Sequence, residues 1–406
     1  MENILENAEE RVIEEAGVHA ELISPTDGHY FFGYYDLQPF DSTGRYHLCH
    51  KAPFEDRIPG PEDVCELGML DIQTKEFIKL AETTAWNFQQ GALLQWYKDD
   101  DKIIFNVRED GAFRTCILNI RTGVKRVLPM AYASLSQDGS KAVCVNFSRI
   151  FDFRPGYGYA GIPDAFEEDY APEADGVWFM DTETGACRLV VSCEQIKEAC
   201  PKKPYTDQKL LINHITLNPS GDRFVMLFRN QPEDGSKWAT GLIVGDMQGN
   251  LRQLGEWTVY SHYHWKNDHE LLIVSKCYDG NPNLGLYVFN LITGEITLIP
   301  EPCPERPIKD IHCLYSPDRR FIMGDDYPIR SIYRRLHFIE IATGKHTILG
   351  KYRDCNFSNE TMEFRCDLHA RYDRTGRYVS FDCNYTGNRC VAMLDLKDLE
   401  GFDYHV

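Results

Sequence analysis

The sequence predicts an all-β fold, a seven-bladed β-propeller with a short N-terminal helix, and three observations carry that prediction. A turn that opens a strand recurs seven times, from Phe40-Asp-Ser-Thr-Gly-Arg-Tyr46 through Asn218-Pro-Ser-Gly-Asp-Arg-Phe224 to Asp373-Arg-Thr-Gly-Arg-Tyr378. A strand ending in an acidic or polar residue before a tight turn is interleaved with it seven times, as in LDIQTKE, LNIRTGV, MDTETGA, FNLITGE and IEIATGK, degenerating to LDLKDLE at the end. The runs between these signatures are short, alternating and rich in Val, Ile, Phe and Tyr, so each unit reads as four strands. Four strands in roughly 40 to 50 residues is the pattern of a propeller blade. A TIM barrel would need a helix after every strand, and no such helices are visible.

Taken in chain order, helical periodicity is confined to residues 2–16, MENILENAEERVIEEA without its first Met. The segment from Gly17 to Ser24 is expected to add an outer strand that closes the ring onto the last blade. Seven blades then fill one domain spanning 1–406. The unit is interrupted once, by a long inter-blade loop over 150–177 that holds Arg154-Pro-Gly-Tyr-Gly-Tyr-Ala-Gly-Ile-Pro163 and the acidic stretch from Asp164 to Asp175. A loop of that length in a compact fold is usually functional or mobile, and it reads either as a lid or substrate-contacting excursion or as surface ornament.

Composition narrows the function classes. With 62 acidic against 43 basic residues the net charge is −19, which argues against a nucleic-acid or anionic-membrane surface. No run approaches the roughly 18 apolar residues that cross a membrane. The 14 cysteines form no C-x-x-C pair, and residues 1–16 are acidic and polar, unlike a secretory signal, so the expected setting is a reducing cytoplasm. Oligomeric state is not written in the sequence. G-x-S-x-G, H-E-x-x-H and phosphate-binding glycine loops are absent.

A separate observation concerns four histidines at one register. His214, His262, His312 and His369 each lie four residues before the turn that opens a strand, in four successive units. A packing role drifts between repeats, whereas a site built by neighbouring repeats needs the same offset in each. The strand before that turn is the innermost of a blade, so equivalent positions ring the central axis. Four imidazoles then either hold a divalent metal ion, such as manganese, iron, nickel or zinc, or form a hydrogen-bonded ring without one. Asp325 and Asp382, on the returning strands, fit as carboxylates that fix the tautomer of a ligating histidine, or as strand caps. His264, two residues past His262, is a reserve ligand. His29, His47, His50, His269, His337 and His346 lack the offset, and Cys313 and Cys366 read as buried fillers.

With these residues in view the chain resembles the oligogalacturonate lyase group of seven-bladed propellers. The resemblance lies in Asn213-His-Ile-Thr-Leu-Asn-Pro219 with the following Met226-Leu-Phe228, in Ser261-His-Tyr-His-Trp265, and in Ile311-His-Cys-Leu-Tyr-Ser-Pro-Asp318 with Gly324-Asp325. It covers mainly the second half. HYFFGYYD, TAWNFQQGALLQW, RPGYGYAGIPD and CDLHARYDRTGRYVSFD look like segments of a broader, uncharacterised bacterial propeller group. The resemblance implies a manganese-dependent β-elimination on short uronate-containing oligosaccharides in the cytoplasm, with histidines and a glutamine on the metal, a histidine base and an arginine nearby. His214 matches the base, His262 and His312 match metal-side positions, and His369 extends the pattern. The glutamine has no secure counterpart, because Gln89 and Gln90 belong to another blade.

That chemistry needs positive charge on a developing enediolate, a neutral imidazole to take the proton and a guanidinium to fork onto the carboxylate. Arg154, Arg229 and Arg330 are the candidate arginines, since each follows a strand end or sits in the long loop. Tyr157 and Tyr159 are candidates for stacking on sugar rings. Two other readings stay open: a non-catalytic propeller that binds a glycan or protein, and a glycoside hydrolase drawing a carboxylate pair from Asp36, Glu55, Asp56, Glu62 and Asp63.

Overall fold

In the computed structural model, residues 11–200, 208–231, 238–255, 258–276, 284–300, 310–328, 332–356, 358 and 362–402 are described. They build seven antiparallel sheets in a ring, a seven-bladed β-propeller. The first blade, with strands His29–Phe31, Tyr46–Ala52, Cys65–Asp71 and Glu76–Thr83, sets the pattern of inner to outer strands that the others repeat.

The two sequence signatures are the turns that hold each blade together. At the first, the opening side chain accepts from the backbone N–H five residues on. Asp41 takes Tyr46 N at 2.9 Å, Asn218 takes Arg223 N at 3.0 Å, Ser316 takes Phe321 N at 3.0 Å and Asp373 takes Tyr378 N at 2.9 Å. At the second, the polar residue ending the third strand caps the outer turn: Asn119, Asp181 and Asn290 each accept from the N–H groups two and three residues on. These local bonds outcompete continuation of the strand and stop it there. The Gly of the Thr-Gly pair takes the positive φ that the turn requires, 73° at Gly123 and 77° at Gly185.

The ring closes through both ends of the chain. Strands Arg371–Tyr372, Tyr378–Cys383 and Cys390–Asp395 of the seventh blade receive Ala20–Leu22 as their outer strand, with Ala20 opposite Leu394 and Leu22 opposite Ala392. The expected N-terminal helix over 2–16 needs correction where it is described. Residues 1–10 lie outside the described residues, but Val12–Glu14 is a strand on the rim of the sixth blade, Val12 opposite Tyr352 and Glu14 opposite Gly350. The β-branched pair Val12-Ile13 finds unpaired backbone groups on the edge strand His346–Arg353, and pairing there wins over helix propensity.

Interfaces between blades carry the core. Val225, Leu227 and Leu242 of the fourth blade pack against Tyr263, Leu271 and Ile273 of the fifth, and Leu272 and Val274 meet Ile311, Cys313 and Ile322 of the sixth. Among the described residues no helix is long and apolar enough to cross a membrane.

The long excursion lies within a blade, not between two. It leaves the third blade after Lys141–Cys144 and returns at Gly176–Asp181, the next strand of the same sheet. It begins as helix α1, Phe147–Phe153, capped by the Asn146 side chain, which accepts from Arg149 N. Buried Arg149 then ties the segment down. Its guanidinium meets Asp164 at 3.0 Å and donates to the carbonyls of Leu210, Phe166, Asp169 and Tyr170. Gly156 and Gly158 have to be glycines, since a Cβ would fall 2.2 Å from Glu363 O at the first and 2.1 Å from Phe151 N at the second. The excursion is thereby fixed against the segment leading into the seventh blade.

Candidate metal centre and adjoining pocket

His214 and His262 stand on the inner strands Lys209–Leu217 and Tyr260–Trp265, and His312 and His369 sit just ahead of Leu314–Tyr315 and Arg371–Tyr372. Pairing slips between Ile212 and His214 and again between Tyr260 and Tyr263, so the first two histidines emerge at bulges, which re-aim a side chain. The four rings converge. The His262 and His312 centroids lie 4.0 Å apart, and those of His312 and His369 lie 4.3 Å apart. Beside them sits the pair Tyr34-Tyr35 of the HYFFGYYD segment, which the histidine register does not single out. Tyr34 touches His214 and His369, each at 5.1 Å, while Tyr35 lies 5.6 Å from His312 and 6.0 Å from both His262 and His369.

Three of the histidines are oriented in one way. His262 Nδ1 lies 2.9 Å from Asp310, His312 Nδ1 3.1 Å from Asp325, and His369 Nδ1 2.9 Å from Gly33 O. Each of those partners is an acceptor, so in the neutral ring Nδ1 carries the proton and Nε2 keeps its lone pair. Nε2 of His312 and Nε2 of His369 approach the same Asp367 oxygen, at 3.8 and 3.9 Å. Among the described residues, His312, Asp367 and His369 are the group whose ligand atoms all lie within 4.8 Å of one another.

This donor set fits a divalent cation. His369 Nε2 is buried and without a hydrogen bond, two imidazoles and a carboxylate suit a borderline ion, and the Nδ1 bonds preset the ligand tautomers. His369 also holds a left-handed backbone, φ 44°, a strained conformation for a residue with a side chain. Asp367 itself is clasped by Arg334 at 2.7 Å and Arg365 at 2.8 Å. Burial alone would raise its carboxyl, but the two guanidiniums hold it well below the usual range. Burial would likewise lower His312, yet the charges and hydrogen bond of Asp325, with Asp367, raise it. Burial, followed by the neighbouring His312, lowers His262 and drives His369 well down.

His214 stands apart from that group. Its Nε2 shares a 3.0 Å hydrogen bond with the Tyr34 hydroxyl, and its Nδ1 has only a 3.5 Å contact from the Gln90 amide. Burial, then Arg229 and Arg154, push it well below the ordinary histidine value, so it is neutral. Tyr157 packs edge-on to its ring at 5.1 Å, Arg154 lies 4.1 Å over the Tyr157 ring, and Arg365 donates to the Tyr157 hydroxyl at 3.2 Å. The register thus assembles the four histidines, but His214 belongs to a pocket beside the three-ligand group and His262 lies against that group through His312.

Other expected positions are redistributed. Tyr159 is not at the pocket: it stacks on Phe147 at 4.3 Å and its hydroxyl takes the Asn106 amide at 3.1 Å. Asp382 does not bond a histidine. It accepts from Phe32 N, Gly33 N and Arg371, and so holds the loop whose carbonyl orients His369. His264 is no reserve ligand, because its Nδ1 accepts from Tyr315 N at 3.3 Å in the packing between blades. Arg330 lies outside the described residues. Gln89 donates to Arg365 O at 3.0 Å, which leaves it supporting that arginine. Cys313 and Cys366 are buried. The acids of the first blade do not pair: Glu62 meets Arg108, Asp63 meets Arg57 and Glu55 lies by Arg389. Asp36, its carboxyl pushed up to about 7 by burial, lines a small cavity with Tyr34 and Tyr35.

Two of the residues missed had a legible signal. Asp310 and Asp367 both precede a ring histidine by two, and that spacing lets each reach back to the histidine of the preceding blade, Asp310 to His262 and Asp367 to His312. Arg334 and Arg365 share no register with anything, and only the fold brings them in.

No family model matches the chain, and no curated protein sequence matches it. Among solved structures it is similar to an oligogalacturonate lyase in complex with manganese, with 16% identity, 94% of each chain covered and a TM-score of 0.66. It is also similar to an oligogalacturonate lyase from Vibrio parahaemolyticus, at 14% identity over 95% of this chain and 98% of that one, TM-score 0.63. A GH74 xyloglucanase from Xanthomonas campestris gives 13% identity, 95% and 55% coverage and a TM-score of 0.51. At these identities the likeness is one of fold, and its remoteness agrees with motifs that match only in short stretches.

Proposed function

We propose that this protein is a metal-dependent lyase that cleaves uronate-containing oligosaccharides by β-elimination, with a cytoplasmic setting as part of the same reading. The observation that carries it is the convergence of His312 Nε2, His369 Nε2 and Asp367 beside a separate, neutral His214 flanked by arginines. A divalent cation held by those three groups, manganese being the first to test in view of the similar lyase that contains it, would supply positive charge for the carboxylate end of a developing enediolate.

The chain's own residues account for the rest. In the elimination the proton next to the carboxylate leaves, the C–O bond at the β-carbon breaks, and its electrons stay on the departing oxygen while a C=C bond forms. His214 takes the proton at Nδ1, its weakly engaged nitrogen, while Nε2–H donates to the Tyr34 oxygen. Arg154 and Arg229 lower the basicity of His214 in the free protein. A substrate carboxylate between them would offset that charge and raise the base toward working strength when substrate is present. Tyr157, held by Arg365, walls the pocket on the side of the excursion.

The test is a screen of uronate oligosaccharides for new ultraviolet absorbance from an unsaturated product, with divalent metal added. Appearance of that absorbance, lost in His214→Ala, supports elimination. Reducing ends without a double bond would replace this reading with hydrolysis.

A further inference from the structure

Six arginines are buried in this acidic protein, namely Arg149, Arg229, Arg334, Arg365, Arg371 and Arg389. Five of them meet a carboxylate: Arg149 meets Asp164, Arg334 meets Asp354, Arg365 meets Asp367, Arg371 meets Asp382 and Arg389 lies by Glu55. Arg229 is the exception among the described residues. Its Nε donates to Thr240 at 3.2 Å and its Nη1 is buried with no acceptor. An uncompensated buried charge is strongly unfavourable, so a fold that pairs its other buried arginines and leaves this one unmatched has left a place for an anion.

The neighbours share that deficit. Arg154 Nε and Asn213 Nδ2 are also buried donors without acceptors, and Arg154 donates to Asn213 Oδ1 at 3.3 Å. Both guanidiniums flank Trp238, Arg154 at 5.4 Å and Arg229 at 5.3 Å from its ring centroid, with Phe153 edge-on at 5.5 Å. The Trp238 side chain is nevertheless 44% exposed. A large ring held in place by two cations and a phenylalanine, and still open to solvent, is a ready surface for the apolar face of a sugar. Arg154 bridges the two halves of the pocket, because it also lies over Tyr157, the ring that packs on His214.

We propose that Trp238, Arg154 and Arg229 form an acidic-sugar subsite that stacks a pyranose on the indole and takes its carboxylate on the unpaired guanidiniums, one sugar unit out from His214. This rests on the uronate reading above and deepens it by assigning the residues that select a charged neighbour sugar. The subsite makes the protein discriminate by both ring and charge: a methyl-esterified chain keeps the stacking face but loses the anion.

Calorimetric titration of full-length His214→Ala protein, in which the proposed base is gone and the probe persists, tests it with trigalacturonate and its methyl ester. Adding Trp238→Ala should weaken trigalacturonate binding about tenfold or more, adding Trp238→Phe should restore most of that loss, and adding Arg229→Gln should erase the preference for acid over ester. Equal affinity for acid and ester, no binding of trigalacturonate, or Trp238→Ala within about twofold of its parent, would overturn the subsite. Should the wild type make no unsaturated product while these binding effects hold, the lyase reading fails and the subsite stands. If product forms and Trp238→Ala changes neither binding nor KM, the subsite fails alone.

Discussion

Asp367→Asn tests the core of the site with two separable effects. Asn keeps the shape of Asp367 but not its charge. Arg365 then loses its carboxylate partner and is left with the Tyr157 and Tyr327 hydroxyls and a backbone carbonyl, whereas Arg334 keeps Asp354. Removing one member of a buried ion pair costs about 3–5 kcal/mol, and the retained amide oxygen puts the expected loss at the low end, about 3 kcal/mol. Metal linkage adds a second difference. At about 100 times its Kd a cation should stabilise the wild type by about 2.7 kcal/mol and leave the variant unchanged. Urea denaturation followed by circular dichroism, with and without metal, reads both. The pH dependence is fixed in sign: a carboxyl held below its unfolded value contributes fully above about 3.9, and the contribution is lost as pH falls toward its folded value. The gap between the two metal-free proteins should therefore persist from about pH 5 to 9 and narrow only in stronger acid. A variant within ~0.5 kcal/mol of wild type that still responds to metal would refute both the clasp and the ligand role.

Further outcomes follow from the same geometry. His369→Ala and His369→Gly should both lose metal, with Gly the more stable by about 1 kcal/mol in thermal unfolding because it relieves the positive φ; equal stability would deny the strain. Asp382→Asn should loosen the loop that bonds His369 and weaken metal binding about 10- to 100-fold without touching a ligand, as titration calorimetry would read. His214→Gln should keep metal and fold while lowering turnover at least about 100-fold. Because His214 is held well below the ordinary histidine value, the acid limb of kcat/KM should lie below about pH 6.5, and a limb above that would mean another group is the base.

How far the sequence could be read depended on whether a feature repeats. Blade number, turn chemistry and the histidine ring were legible because Asp41, Asn218 and Asp373 open one turn in one way and the four histidines keep one distance from it. The closing strand Ala20–Leu22 is legible as the expected outer strand between Gly17 and Ser24, whereas Val12–Glu14 reads as helix because nothing local reveals the open edge it joins. From sequence the excursion reads as lying between blades because its length hides that Lys141–Cys144 and Gly176–Asp181 are neighbours in one sheet. Tyr157 and Tyr159 show the limit at the site: two residues apart in one motif, one faces His214 and the other packs on Phe147, a division set by α1 and by Gly156 and Gly158. Asp310 and Asp367 were readable in principle from their shared spacing to a histidine. Trp238, Arg334 and Arg365 were not, since each arrives from a different strand or connection.

In the proposed site His312, Asp367 and His369 together hold one divalent cation. Titration calorimetry of chelator-stripped protein with manganese reads that site. One site per chain is expected, abolished in His312→Ala, His369→Ala and Asp367→Asn and retained in His214→Ala. No binding by the folded protein, or binding that survives all three of those substitutions, would contradict it.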